Sequence, residues 1–148
     1  MKTMQSTEGT KKHDTAEGYF GIAKKLAEIS LGLRRIMWQR TDRLPIGVFP
    51  EDYDEYEEIR RRLDETRDRV VESGVAELSG NDPLATPIME MGLSARAQKL
   101  RNKLGIRVAG QLELYTSDEL LEVRNFGKGS LQAVRMELAK LGLKLEGD

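Results

Sequence analysis

Tyr19, Ile22, Leu26, Ile29, Leu33 and Ile36 recur at steps of three and four. That spacing lines apolar side chains along one stripe of a helix. Further on, Tyr56, Ile59, Leu63, Thr66 and Val70 step by 3, 4, 3, 4 in a coiled-coil-like seam. Between them, Pro45 and Pro50 bracket Ile46-Gly47-Val48-Phe49, an interval that cannot continue a helix and reads as a connector. The spacing predicts a first helix from near Thr15 to near Arg40. A second follows whose acidic first turns suit a positive helix N-terminus. Two amphipathic helices joined in this way form a hairpin, or a coiled-coil-like pair, over residues 15–78. Neither stripe is buried by the other alone with much to spare, so the pair is expected to pack against a second copy of itself or against another protein.

The flanking segments differ in composition. Residues 1–14 are polar, with almost nothing to bury, and read as a disordered tail that would leave the lone histidine, His13, unstructured. Residues 79–87, Ser-Gly-Asn-Asp-Pro-Leu-Ala-Thr-Pro, are dense in turn formers and read as an interdomain linker. Trp38 and Met37, near the end of the first helix, are expected in the core rather than in a contact patch.

Composition narrows the function classes. A protein of 148 residues has room for one domain or two small modules, not for a large catalytic scaffold. With no cysteine and one histidine it can build neither a thiolate site nor an imidazole cluster. No apolar run approaches the roughly 18 residues that span a bilayer, and the start lacks a signal-peptide stretch, so a cytoplasmic protein with no membrane partner is expected. The net charge of −1 hides an uneven distribution: +4 over residues 1–45, −7 over 46–87 and +2 over 88–148. The six acids between Glu51 and Glu58 come without a base, which argues against a catalytic carboxylate pair. Five arginines from Arg60 to Arg69 should pair with them along the helix, so mimicry of DNA by that segment is disfavoured. No enzyme activity, cofactor or metal site is expected.

Residues 88–148 read as short helices with clear punctuation. Ser94 is an expected N-cap, and Gly105 followed by Ile106 a left-handed stop. Gln111 to Tyr115 makes about one turn, and Thr116-Ser117-Asp118-Glu119 is a capping box. Asn125-Phe126-Gly127-Lys128-Gly129-Ser130 breaks the helical run and restarts it on Leu131, Val134, Leu138 and Leu141. Gly142 and Leu143 close that last helix in a Schellman stop. Arg101 is expected to lie exposed beside Leu100 and Leu104.

Leu93-Ser94-Ala95-Arg96-Ala97, Leu104-Gly105-Ile106, Gly110-Gln111-Leu112, Glu119-Leu120-Leu121 and Asn125 to Leu131 through Gly142-Leu143-Lys144-Leu145 follow one another as a set of separated motifs. In that order they resemble the C-terminal domain of the bacterial RNA polymerase alpha subunit. The resemblance implies a compact four-to-five-helix domain containing a helix-hairpin-helix, and hence an all-α protein. It implies contact with the minor groove of AT-rich duplex DNA, and with RNA polymerase, sigma factor or a regulator. Carried over by position, the DNA-contacting residues fall on Arg96, Asn125, Gly127 and Ser130, with Lys99 and Lys128 adding phosphate contacts. The sequence departs from the family at Lys99, where an asparagine is typical, and at Gly129, where a lysine is frequent. A lysine is a point charge with less base-edge geometry, so those changes imply weaker sequence preference with similar phosphate attraction. The expected function is a transcription-associated DNA-binding protein that oligomerises through its N-terminal helices. The alternative is a protein-interaction adaptor of the transcription machinery that does not touch DNA.

Overall fold

The computed structural model describes residues 2–148, with side chains from Lys12 onward, and Met1 lies outside the described residues. It is all-α. α1 (Lys2–Asp42) and α2 (Tyr53–Ala76) form the expected hairpin, followed by 3₁₀ turns at Pro83–Ala85 and Ile88–Glu90. α3 (Ala95–Leu104), α4 (Ala109–Leu112), α5 (Ser117–Leu121) and α6 (Lys128–Lys140) then build the C-terminal module. Among the described residues no helix is long and apolar enough to cross a membrane.

The face of α1 that meets α2 overlaps the predicted stripe only at its edge, where Tyr19, Leu26 and Leu33 are half-buried. Ala16, Phe20, Ala23, Ala27, Ser30 and Met37 are buried, while Ile22, Ile29 and Ile36 stay 51%, 52% and 55% exposed. The reason is approach distance. Alanine and serine let two backbones come close, and Gly74 of α2 receives the Phe20 ring where even a methyl group would stand 2.7 Å from it. The isoleucine stripe is rotated out of that contact. On α2, Tyr56, Val71 and Gly74 are buried and Ile59 is exposed. Ser30, although buried, donates to Asp64 Oδ1 at 2.9 Å, so its hydroxyl is satisfied. The expected pairing along α2 is met in part: Arg60 pairs with Glu57 and Asp64, Arg61 with Glu58 and Glu65, Arg62 with Glu58 and Arg67 with Asp64 and Asp68, whereas Arg69 donates to the Thr66 hydroxyl and Asp52 pairs with Arg40 of α1.

Two segments differ from their sequence reading. The tail expected over residues 1–14 belongs to α1 from Lys2 onward, and His13 is placed against the Asp82 carboxylate, one turn before the buried Ala16. The linker expected over 79–87 is packed. Asp82 Oδ1 accepts from the Leu84 N–H at 3.0 Å, Leu84 is buried, and the Ala109 N–H donates to the Thr86 carbonyl at 2.8 Å. A turn-rich composition signals a change of direction. It does not say whether the apolar residue inside the turn finds a pocket, and Leu84 does.

In the C-terminal module Ile88, Leu93, Leu100, Ile106, Leu112, Leu120, Leu138 and Leu145 are fully buried around one core. Gly105 stops α3 at φ +68, and its N–H donates to the Arg101 carbonyl at 2.9 Å. Arg101 is exposed. Thr116 and Glu119 form the capping box. Gly142 at φ +75 closes α6 with both Schellman bonds, Gly142 N to Ala139 O and Leu143 N to Leu138 O. Ser94 occupies the N-cap position but its hydroxyl makes no cap bond, because its φ of +52 turns the backbone away from the usual cap geometry. α4 starts ahead of the predicted turn and contains Gly110 and the buried Gln111. Gln111 Oε1 accepts from the Arg107 N–H at 2.7 Å and the Val108 N–H at 3.2 Å, and its amide donates to the Gly105 carbonyl at 3.3 Å.

The two halves are joined by α1. Phe20, 1% exposed, fills the space between Gly74 of α2 and Gly110 of α4. Lys24 donates to the Leu114 carbonyl at 2.7 Å, pairs with Glu119 at 2.9 Å and lies 4.9 Å from the centre of the Tyr115 ring. Burial disfavours the Glu119 carboxylate, but Lys24 and the Thr116 backbone and hydroxyl outweigh it and hold its pKa below the ordinary value. Burial pushes the Tyr115 phenol up.

Candidate nucleic-acid interface

Two non-glycine residues among those described have positive φ, Ser94 at +52 and Asn125 at +63. Asn125 belongs to the predicted site, and Ser94 stands two residues ahead of Arg96. Asparagine tolerates the left-handed region better than most residues, and its bend lets Phe126 turn inward to be buried while Gly127 and Lys128 turn outward. Ser94 sets the start of α3 so that Arg96 projects from its first turn. Strained backbone away from glycine persists only where surrounding structure enforces it, and here it shapes one surface.

That surface brings the six predicted residues together. Arg96 Nε donates to Ser130 Oγ at 3.3 Å, and Lys99 Nζ donates to the Asn125 carbonyl at 2.8 Å. These two bonds tie α3 to the hairpin between α5 and α6. Arg96, Asn125, Gly127, Lys128 and Gly129 are exposed, and Lys99 and Ser130 are half-buried. Lys99 therefore closes the hairpin with one of its three donors and turns the rest outward.

Gly127 precedes α6, whose first-turn N–H groups lack intrahelical partners and carry the positive end of the helix dipole. Its φ of −105 is open to any residue, and a Cβ built on it, or on Gly129, meets nothing within 4 Å. No contact inside the protein calls for glycine at either position. Bare backbone at a helix start admits close approach by an anion.

Cations beyond the predicted set border the same surface. Lys103 follows Lys99 by four residues, which puts it on the same side of α3, and Arg124 directly precedes Asn125. The helical spacing of Arg96, Lys99 and Lys103 was legible in the sequence. The nearness of Arg34 and Arg35, on α1, was not.

Residues 76–140 match the family model for the C-terminal domain of the alpha chain of bacterial RNA polymerase. The match starts ahead of Ile88, in the last turn of α2. Among curated relatives, the DNA-directed RNA polymerase subunit alpha of Symbiobacterium thermophilum is 33% identical over 95 residues, 64% of this protein and 26% of that one. The subunit of Tropheryma whipplei is 35% identical over 79 residues, 52% and 24% of the two proteins, and that of Bifidobacterium longum 36% identical over 66, 45% and 20%. The protein thus spans about a quarter or less of the length of these relatives. No solved structure matches it. Between residues 76 and 140 this protein is similar to the C-terminal domain of the bacterial RNA polymerase alpha subunit, and α1 with nearly all of α2 stands ahead of that match.

Proposed function

We infer that the protein is a transcription-associated binding protein, not an enzyme, which holds duplex DNA against the surface formed by α3 and the hairpin before α6. The observation that carries this reading is the convergence of Arg96, Lys99, Asn125 and Ser130 around two glycines that nothing inside the protein requires. In this reading Arg96 enters a narrow, AT-rich minor groove, where the negative potential is strongest, while Lys99, Lys128 and the α6 N-terminus meet phosphates. The curated relatives are RNA polymerase subunits, so polymerase and its regulators are the protein partners we propose. The site of action we propose is the nucleoid.

The test is fluorescence anisotropy of the whole protein with AT-rich and GC-rich duplexes at two salt concentrations. Arg96→Ala is expected to weaken AT-rich binding about tenfold or more and to reduce the salt slope by about one. Equal binding and equal salt dependence in the variant overturn the reading and favour the adaptor that does not touch DNA.

One such module binds weakly, on the order of 10⁻⁴ to 10⁻⁶ M for non-specific contact, so two joined modules gain much from avidity. We assign the joining to the outer face of α1. Its exposed Ile22, Ile29 and Ile36 span roughly 21 Å of the helix, and with the exposed Ile59 of α2 they offer an apolar centre around which a dimer interface can form. Lys24 and Leu31, which reach the C-terminal module, lie about 200° around α1 from Ile22 and Ile29. The stripe thus faces away from the C-terminal module, and a second copy fits there. By sedimentation, the wild type is expected at twice 16.7 kDa and Ile22→Glu/Ile29→Glu at 16.7 kDa with unchanged helix content. A monomeric wild type at tens of micromolar, or a variant that stays dimeric, removes the assignment.

A further inference from the structure

The basic side chains of this protein fall into two populations. Those on α2 are mostly paired with acids of the same helix. Arg34 and Arg35 of α1, Lys103 at the end of α3 and Arg124 beside the hairpin have no ion-pair partner among the described residues, and all four line one open groove of about 480 Å³ between α1 and the C-terminal module. Two acids share it. Glu119 is occupied by Lys24, which leaves Glu122 as the one acid against four cations. Trp38 stands on the α1 wall, 69% exposed against the expectation of a core position, because it follows Met37 around the helix to the rim of the α2 contact.

The groove is continuous with the candidate interface. Arg96, Lys99 and Lys103 step by three and four along one side of α3, covering about 10 Å. Arg124 is bonded to Asn125, whose carbonyl holds Lys99. Charge therefore runs unbroken from Ser130 past Arg96, Lys99 and Lys103 to Arg34 and Arg35. An exposed aromatic amid unpaired cations suits a ligand with both charge and apolar ring edges, which a sugar-phosphate backbone has.

We propose that this groove is a second contact for the backbone of the same DNA duplex, so that α1 lengthens the interface of the C-terminal module. Arg34, Arg35, Lys103 and Arg124 meet phosphates and Trp38 packs against deoxyribose. The proposal rests on the DNA-binding reading above, but it concerns residues of α1 that lie outside the match to the polymerase family.

Trp38 is the single tryptophan, and it borders both this groove and the pocket it shares with Tyr53 and Tyr56 of α2, so its fluorescence reports on the α1 wall common to the two. The experiment titrates the 148-residue protein with a 20-base-pair AT-rich duplex at several salt concentrations and follows both anisotropy and Trp38 emission. In the wild type the duplex is expected to change Trp38 emission. Arg34→Ala/Arg35→Ala is expected to weaken binding three- to tenfold at low salt and to lower the slope of log affinity against log salt by about two, roughly 0.9 per lost phosphate contact. Arg34→Lys/Arg35→Lys should keep that slope. Arg124→Ala, on the opposite wall, should lower it by about one, which keeps the test open if the α1 variant loses its fold. Unchanged slopes in the α1 and Arg124 variants, in a protein whose binding still depends on Arg96, overturn the second contact and leave the first standing. A Trp38 emission that the duplex leaves unchanged does the same. Absence of duplex binding by the wild type overturns both, and an acidic peptide that alone shifts Trp38 emission makes the groove a protein-docking site instead.

Discussion

Phe20→Ala is expected to lower the stability of the protein by about 3–5 kcal/mol, the usual cost of emptying a buried aromatic site. The magnitude should lie toward the top of that range, because little can move in to refill the space. The ring is 1% exposed and sits among Ala16, Ala23, Val71 and Val108, with Gly74 on one side and Gly110 on the other. Alanines and glycines have no side chains long enough to reach across the cavity. The loss also has a direction. Phe20 touches α2 and α4 together, so its removal loosens the hairpin and detaches α1 from the C-terminal module. Urea unfolding followed by helix signal should show both a lower midpoint and a broader or two-step transition, since the module's own core around Leu100, Leu112 and Leu138 does not include Phe20. A midpoint shift worth less than about 1 kcal/mol would mean that the ring is not the joint between the two halves.

Gly110→Ala is the second large effect, and its sign runs against helix propensity. In a helix interior this change ordinarily stabilises by about 0.5–1 kcal/mol. Here the new methyl would stand 2.7 Å from Cε2 of Phe20 and 3.0 Å from the Leu84 carbonyl oxygen. Neither neighbour yields cheaply: the ring is enclosed, and the carbonyl belongs to backbone already pinned by the Asp82 cap. A net loss of about 1–3 kcal/mol is expected, as for other overpacked cores. The two predictions are coupled. In the Phe20→Ala background the same methyl enters space the ring has left, so the double variant should be more stable than the two single losses add up to. Strict additivity in that cycle would show that the strain comes from Leu84 alone.

The C-terminal module was largely legible as sequence because its punctuation is local. Gly105 and Gly142 adopt the left-handed φ their helix ends demand, and Thr116 with Glu119 closes the capping box from four consecutive residues. Interactions of this kind are complete within a few residues and owe little to the rest of the fold. Four of the six candidate residues were carried over by position from the family resemblance, and the structure gathers all six on one surface.

The N-terminal half was legible only as helix. Its apolar period of three and four sets the helix and the existence of a second apolar face, but not which face is covered. That choice depended on Ala23, Ala27, Ser30 and Gly74, whose small size permits close approach, while the larger and more hydrophobic Ile22, Ile29 and Ile36 were left outside. The packing of Leu84, the contact of His13 with Asp82 and the reach of Lys24 to Leu114 likewise join residues far apart in sequence. Local sequence thus determined where helices form and how they end. Tertiary structure alone decided which faces meet, because that turns on the fit between side chains that no periodicity within one helix describes.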